Sequence, residues 1–237
     1  MESPAQKPGQ ELEQQVQALQ TEAEGWNPEQ ALRWGLARFG RSLSVASSFG
    51  AEDVVLIDAA SRTGSPFRVF TLDTDFLFPE TYALIDAIEK RYGIKVERTR
   101  PELTPEAPAE QFGAALWASR PDQCCNIRKV RPLDRKLKEL KAWAVGLRRS
   151  QNESRAEVRK VDLDAAPVKI SPLADWTREQ VDTYILVHDV PRHPLYGRGY
   201  TSIGCDPCTR AVEAGESERA GRWWWEQDAN KECGIHF

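Results

Sequence analysis

Between Ser42 and Arg98 the chain alternates short apolar runs with longer segments of helical spacing. Ser42 to Ser47, Phe67 to Leu72 and Ile94 to Arg98 read as buried strands. Glu52 to Ser61 and Pro79 to Arg91 read as the helices between them, and Gly93 as the cap that ends the second. Strand–helix–strand–helix–strand calls for crossover connections, so the strands run parallel in an α/β sheet with its helices packed on the faces. Such a sheet binds ligands beyond the carboxyl ends of its strands. Two loops lie there. Ser47-Ser48-Phe49-Gly50-Ala51-Glu52-Asp53 offers small residues and a helix N-terminus to an anion, although no Gly-Lys-Ser/Thr follows to make it a P-loop. Asp73-Thr74-Asp75 follows the second strand.

The rest of the chain frames this unit. Residues 1–25 are polar and Gln/Glu-rich and read as an arm; 26–204 read as the α/β domain and 205–237 as a C-terminal segment. Asn27-Pro28-Glu29-Gln30 carries a capping box with proline at the first helical position. Thr177 caps a helix that runs to Asp189. A helix is expected over Ala109 to Ser119, and another over Gln123 to Leu140. Ala142 to Leu147 is apolar enough for a further strand. The 237 residues carry a net charge of −4, which argues against general nucleic-acid binding. No run is long and apolar enough to cross a membrane, and no secretory signal is read. Five cysteines without an export signal point to a reducing, cytoplasmic setting.

Four of the five cysteines form a set. Cys124 and Cys125 are adjacent, and Cys205-Asp206-Pro207-Cys208 has C-x-x-C spacing. Neighbouring cysteines make a strained disulfide, whereas four thiolates suit a tetrahedral zinc or a [4Fe–4S] cluster. A thioredoxin-like redox pair is the alternative, but Gly204 and Pro207 place the C-x-x-C in a loop. Lys129, about one turn after Cys125, can turn its ammonium to the thiolates. Cys233 is left over, five residues from the end. Gly234 frees the backbone beside it, and Lys231 and His236 favour its thiolate. In an acidic protein any anionic substrate must be held by local arginines. Candidates are Arg148, Arg149, Arg155, Arg219 and Arg222, the last two on one face if their segment is helical. Trp223-Trp224-Trp225 reads as packing rather than a stacking site.

Together, Cys124-Cys125, Lys129, Cys205-x-x-Cys208 and Glu232-Cys233-Gly234-Ile235-His236 resemble the assimilatory adenylyl-sulfate (APS) reductases, from about Ser42 to the C-terminus. Gly146-Leu147-Arg148-Arg149-x-Gln151 and Arg155 resemble that family's substrate loop. Ser47 to Asp53 resembles its modified pyrophosphate loop, and the stretch from Leu72 to Thr81 its nucleotide-side loop. Asp75 stands where a glycine is expected, Asn152 in place of a serine and Ile235 in place of a leucine. The resemblance implies a PP-loop-like, adenine-nucleotide α-hydrolase-like fold. It implies a [4Fe–4S] cluster on Cys124, Cys125, Cys205 and Cys208, and substrate contacts from Ser47, Ser48, Gly50, Leu72, Lys129, Gly146, Arg148, Arg149, Arg155, Arg219, Arg222 and His236. The implied reaction is attack of Cys233 on adenosine 5′-phosphosulfate, with AMP leaving and thioredoxin or glutaredoxin releasing sulfite. A homo-oligomer is left open. The competing readings are a 3′-phospho-APS (PAPS) reductase, an ATP-using PP-loop ligase or adenylyltransferase, and a zinc-stabilised nucleic-acid module.

Overall fold

A computed structural model describes residues 8–107, 113, 115–226 and 234. Helix α1 (Pro8–Ala23) precedes α2 (Pro28–Phe39). The alternating unit follows as β1 (Leu43–Ala46), α3 (Ala51–Arg62), β2 (Val69–Leu72), α4 (Pro79–Tyr92) and β3 (Val96–Thr99). Next comes a continuous helical rod: α5 (Pro121–Cys125), a π-turn (Asn126–Val130) and α6 (Arg131–Leu137). Strands β4 (Ala142–Ala144), β5 (Val161–Asp162) and β6 (Val168–Ile170), then α7 (Arg178–Val187), complete the regular elements used here.

The sheet order is β3-β2-β1-β4-β6-β5. All neighbours are parallel except β5 with β6. The chain builds outward from β1 through β2 to β3, then returns to lay β4 on the other side of β1. That reversal opens a crevice at the carboxyl ends of β1 and β4, the position where open α/β sheets bind ligands. Successive strand residues face opposite layers. Val69, Ala142 and Ala144 belong to a core shared with α2, α3, α4 and α7, while Phe70, Trp143 and Val145 face Leu133 and Leu140 on the other side. Helix α3 is buried nearly all round, from Val54 to Ala60. It lies inside the helical layer rather than on its surface, which is why it lacks a polar stripe.

The local signals act as the residues suggest. Asn27 Oδ1 accepts from Gln30 N (2.9 Å), and Gln30 Oε1 accepts from Asn27 N (2.8 Å). Thr177 and Gln180 repeat the arrangement at the start of α7. Gly93 ends α4 in the left-handed conformation, with φ 63°. Two expectations differ. The helix expected to open at Gln123 starts at Pro121, ends at Leu137 and contains the π-turn. The strand expected to Leu147 ends at Ala144, because the chain peels away toward the crevice. Strands β5 and β6 are too short to show a period in the sequence. Much of the helix expected over Ala109 to Ser119 lies outside the described residues; Leu116–Ser119 is helical. No described helix is long and apolar enough to cross a membrane.

Candidate active site

A cleft open to solvent occupies the crevice. Its floor is the loop after β1. Phe49 turns this loop with a positive φ of 61°, a costly conformation for a bulky residue. Its fully buried ring anchors the loop in the core. Ser47 Oγ accepts from Phe49 N (3.1 Å). Asp53 accepts from both Ser48 N (2.6 Å) and Ser48 Oγ (2.8 Å). Ala51 N donates to the hydroxyl of Tyr196 (2.9 Å). The donors expected to face an anion are thus partly engaged by the protein's own Asp53 and Tyr196. Loss of water pushes the Asp53 carboxyl up to about 6, against the hydrogen bonds from Ser48, which favour its charge.

Ser47, Ser48 and Gly50 line this floor, and Leu72 lines the wall from β2. Gly146 lines the side from β4. A Cβ there would stand 2.5 Å from Asp53 Oδ1 and 2.8 Å from Glu52 Cβ, so only glycine lets the two loops meet. The cations on the cleft are Lys129, Arg155, Arg219 and Arg222. Lys129 comes from the π-turn. Arg155, 7% exposed, is oriented by a short hydrogen bond to Gln151 Oε1. Arg219 and Arg222 lie on a turn rather than a helix, with Arg222 N donating to Arg219 O (2.9 Å). Gly204 makes room for the Arg222 guanidinium: a Cβ there would lie 2.5 Å from its Cζ.

Arg148 and Arg149 do not line the cleft. Arg148 is 1% exposed and clamped between Glu52 (2.8 Å) and Glu218 (3.3 Å). Arg149 turns the other way, toward Val158 O and Glu24. Cys233, Lys231 and His236 lie outside the described residues. Gly234 is described; with φ 73°, a Cβ on it would be 3.4 Å from Val130 Cγ2, immediately after Lys129.

A second, smaller hollow adjoins the cleft. Cys124, Cys125, Cys205 and Cys208 all line it, with Arg128, Lys129, Phe76, Trp117 and Trp223. Cys205 and Lys129 line both spaces. Cys124, Cys205 and Cys208 are buried, and none of the four is in a disulfide. Burial pushes the Cys208 thiol up to about 12 and raises that of Cys124. Thr74 Oγ1 lies 3.2 Å from Cys205 Sγ. Among the described residues no group of three or more His, Cys, Asp or Glu is arranged to hold a metal ion. Asp75, where glycine was expected, adopts φ 62°; its carboxylate pairs with the buried Arg128 (2.9 Å), tying the nucleotide-side loop to the cysteine helix. Of the three tryptophans, Trp223 is buried, Trp225 packs on Trp117 (5.6 Å) and Trp224 is exposed.

Sequence reasoning gave no site role to Asp53, Thr74, Gln151 and Tyr196, all on the cleft. Asp53, Thr74 and Gln151 stood in loops already marked; nothing local distinguishes Tyr196, whose ring has Arg178 (5.2 Å) and Arg192 (4.7 Å) over it.

Residues 42–211 match the phosphoadenosine phosphosulfate reductase domain. The chain is 43% identical over 208 residues to the adenosine 5′-phosphosulfate reductase of Halalkalibacterium halodurans, covering 86% of this chain and 89% of that one. It is 46% identical over 203 residues to the enzyme of the same name from Allochromatium vinosum, covering 82% and 78%. Among solved structures it resembles phosphoadenylyl-sulfate reductase from Candida auris in a phosphate complex, with TM-score 0.71 and 27% identity over 89% of this chain and 100% of that one. The chain belongs to the phosphoadenosine phosphosulfate reductase family, alongside its adenosine 5′-phosphosulfate reductases.

Proposed function

We propose that this chain reduces adenosine 5′-phosphosulfate to sulfite and AMP in sulfate assimilation, with thioredoxin or glutaredoxin as electron donor. The observation that carries the reading is the shared wall: a cleft lined by Lys129, Arg155, Arg219 and Arg222 abuts a hollow lined by four cysteines. A phosphosulfate brings negative charge that these cations neutralise, and their partial burial strengthens the attraction. The Cys233 thiolate attacks the sulfonyl sulfur as the bond from that sulfur to the phosphate oxygen breaks, and AMP departs with the electron pair. Cys233 then carries a sulfonate. A thiolate of the donor attacks Cys233 Sγ and expels sulfite. The donor's second thiol resolves the mixed disulfide and regenerates Cys233, so a dithiol becomes a disulfide while sulfur falls from the sulfate to the sulfite level. The place of Gly234 against Val130, next to Lys129, supports delivery of the tail to this end of the molecule.

Cys124, Cys125, Cys205 and Cys208 would hold a [4Fe–4S] cluster. The donor set fits: four thiols around one hollow, no carboxylate ligand, and Arg128 and Lys129 beside them to offset thiolate charge. A single ion draws its sulfurs within about 2.3 Å of one point, whereas a cluster spreads them over four irons. A bound cluster would supply a fixed charge at the wall that Cys205 and Lys129 share with the cleft. Cysteines outside any disulfide suit a reducing, cytoplasmic location. Steady-state kinetics with APS and with its 3′-phosphorylated form test the reading. Sulfite release from APS with much higher kcat/KM supports it; preference for the 3′-phosphorylated form would make the chain a PAPS reductase.

A further inference from the structure

Glu218 is a carboxylate next to an anion site, immediately before Arg219, yet it does not line the cleft. Its Oε1 accepts from Arg178 Nη1 (2.9 Å) and Arg148 Nη2 (3.3 Å), and its backbone oxygen accepts from Thr201 Oγ1 (2.6 Å). Arg148 in turn donates through Nε to Glu52 (2.8 Å) and through Nη1 to Ser150 Oγ (2.8 Å). Glu52 sits in the first turn of α3, beside Asp53; Arg178 begins α7. A line of charged contacts therefore runs from the cleft floor through Arg148 to Glu218 and on to α7. Beyond it, Trp223 N donates to Cys208 O (3.1 Å) and Thr209 bridges Arg222. The turn with Arg219 and Arg222 is fixed at both ends, by Glu218 before it and by the Cys208–Thr209 backbone after it.

We propose that Glu218 is a positioning residue that holds the arginine turn over the cleft. The proposal rests on the reading of the cleft as the site of the AMP moiety and its attached sulfate. Charge and position predict opposite signs, which makes the idea testable. If Glu218 acted only through its field, neutralising it would strengthen anion binding. If it acts as a strut, Glu218→Gln puts an amide –NH₂ against Arg148 or Arg178 and releases the turn, and small misplacements of such groups are costly.

The test is calorimetric titration of AMP into the full-length protein as isolated, with Glu218→Gln and Glu218→Asp beside the parent. The aspartate variant keeps the charge and shortens the arm, so geometry alone changes. We expect AMP affinity to fall about ten- to hundredfold in the glutamine variant and less in the aspartate variant. Amide exchange at Arg222 and Trp223 should rise in both, with the global unfolding transition little changed. Tighter AMP binding by Glu218→Gln together with unchanged binding by Glu218→Asp would overturn the proposal, as would unchanged affinity and exchange in both. Loss of global folding in Glu218→Gln, with parental AMP affinity and exchange in Glu218→Asp, would also overturn it. No AMP binding by the parent would instead overturn the reading of the cleft, and the strut with it.

Discussion

Gly146→Ala tests how closely the two loops of the crevice approach. The added methyl would stand 2.5 Å from Asp53 Oδ1, 2.8 Å from Glu52 Cβ and 3.2 Å from Asp53 N. Two of these atoms belong to the first turn of α3 and move only with the helix. The third is the carboxylate held by Ser48 N and Ser48 Oγ. Overpacking costs about 1–3 kcal/mol, and weakening one hydrogen bond to a charged group adds to it, so we expect a loss of about 2–4 kcal/mol. For a chain of this size that lowers Tm by roughly 4–16 °C. AMP affinity should fall too, because the displaced loop is the cleft floor. Gly197→Ala is the control, since a Cβ added there would meet nothing within 4 Å. Thermal unfolding and AMP titration of both variants check the expectation. A Gly146→Ala protein with the parent's Tm and affinity would refute it.

The remaining predictions address charge and sulfur. Arg222→Ala should weaken AMP binding by about 1–3 kcal/mol, the range for a lost charged hydrogen bond, measured by the same titration; unchanged affinity would remove Arg222 from the site. Burial holds the His193 imidazole below its usual value, so the folded protein resists its protonation. Stability measured against His193→Asn should be present above about pH 6.5 and be lost as pH falls below it. Asp53 has the opposite sign: its folded value is raised to about 6, so stability relative to Asp53→Asn should be highest near pH 4 and fall as pH rises through 6. Denaturant titrations across pH 4–8 separate the two. Cys205→Ser should lose iron and activity together, and a full iron content in that variant would contradict the cluster assignment.

What was legible in the sequence follows from how local each cause is. A capping box involves residues three apart, so Asn27 with Gln30 and Thr177 with Gln180 declared their helices. The left-handed cap at Gly93 needed only glycine. Parallel order was legible because only crossover connections join such strands. Strands β5 and β6, two and three residues long, hold their places through partners distant in sequence. The Asn126–Val130 π-turn has no local signature either. In the site, the four cysteines were readable as a set because adjacent and C-x-x-C spacings are rare chemistry. The arginines were not separable by type. Arg148 and Arg155 both stand beyond β4 and both are buried, but Glu52 and Glu218 capture the first while Gln151 steers the second to the cleft. That distinction depends on carboxylates about 70 to 100 residues away.

The most direct test of the proposed chemistry is the mass of the protein after mixing with APS in the absence of any thiol donor. Attack by Cys233 predicts about one equivalent of AMP released in a burst that then stops, as expected for a covalent intermediate. The mass should rise by one sulfonate, carried on the tryptic peptide that contains Cys233, and reduced thioredoxin should remove it with release of sulfite. Cys233→Ser should bind AMP yet gain no mass. A sulfonate on any of Cys124, Cys125, Cys205 or Cys208, or sulfite production by Cys233→Ser, would contradict the proposed chemistry.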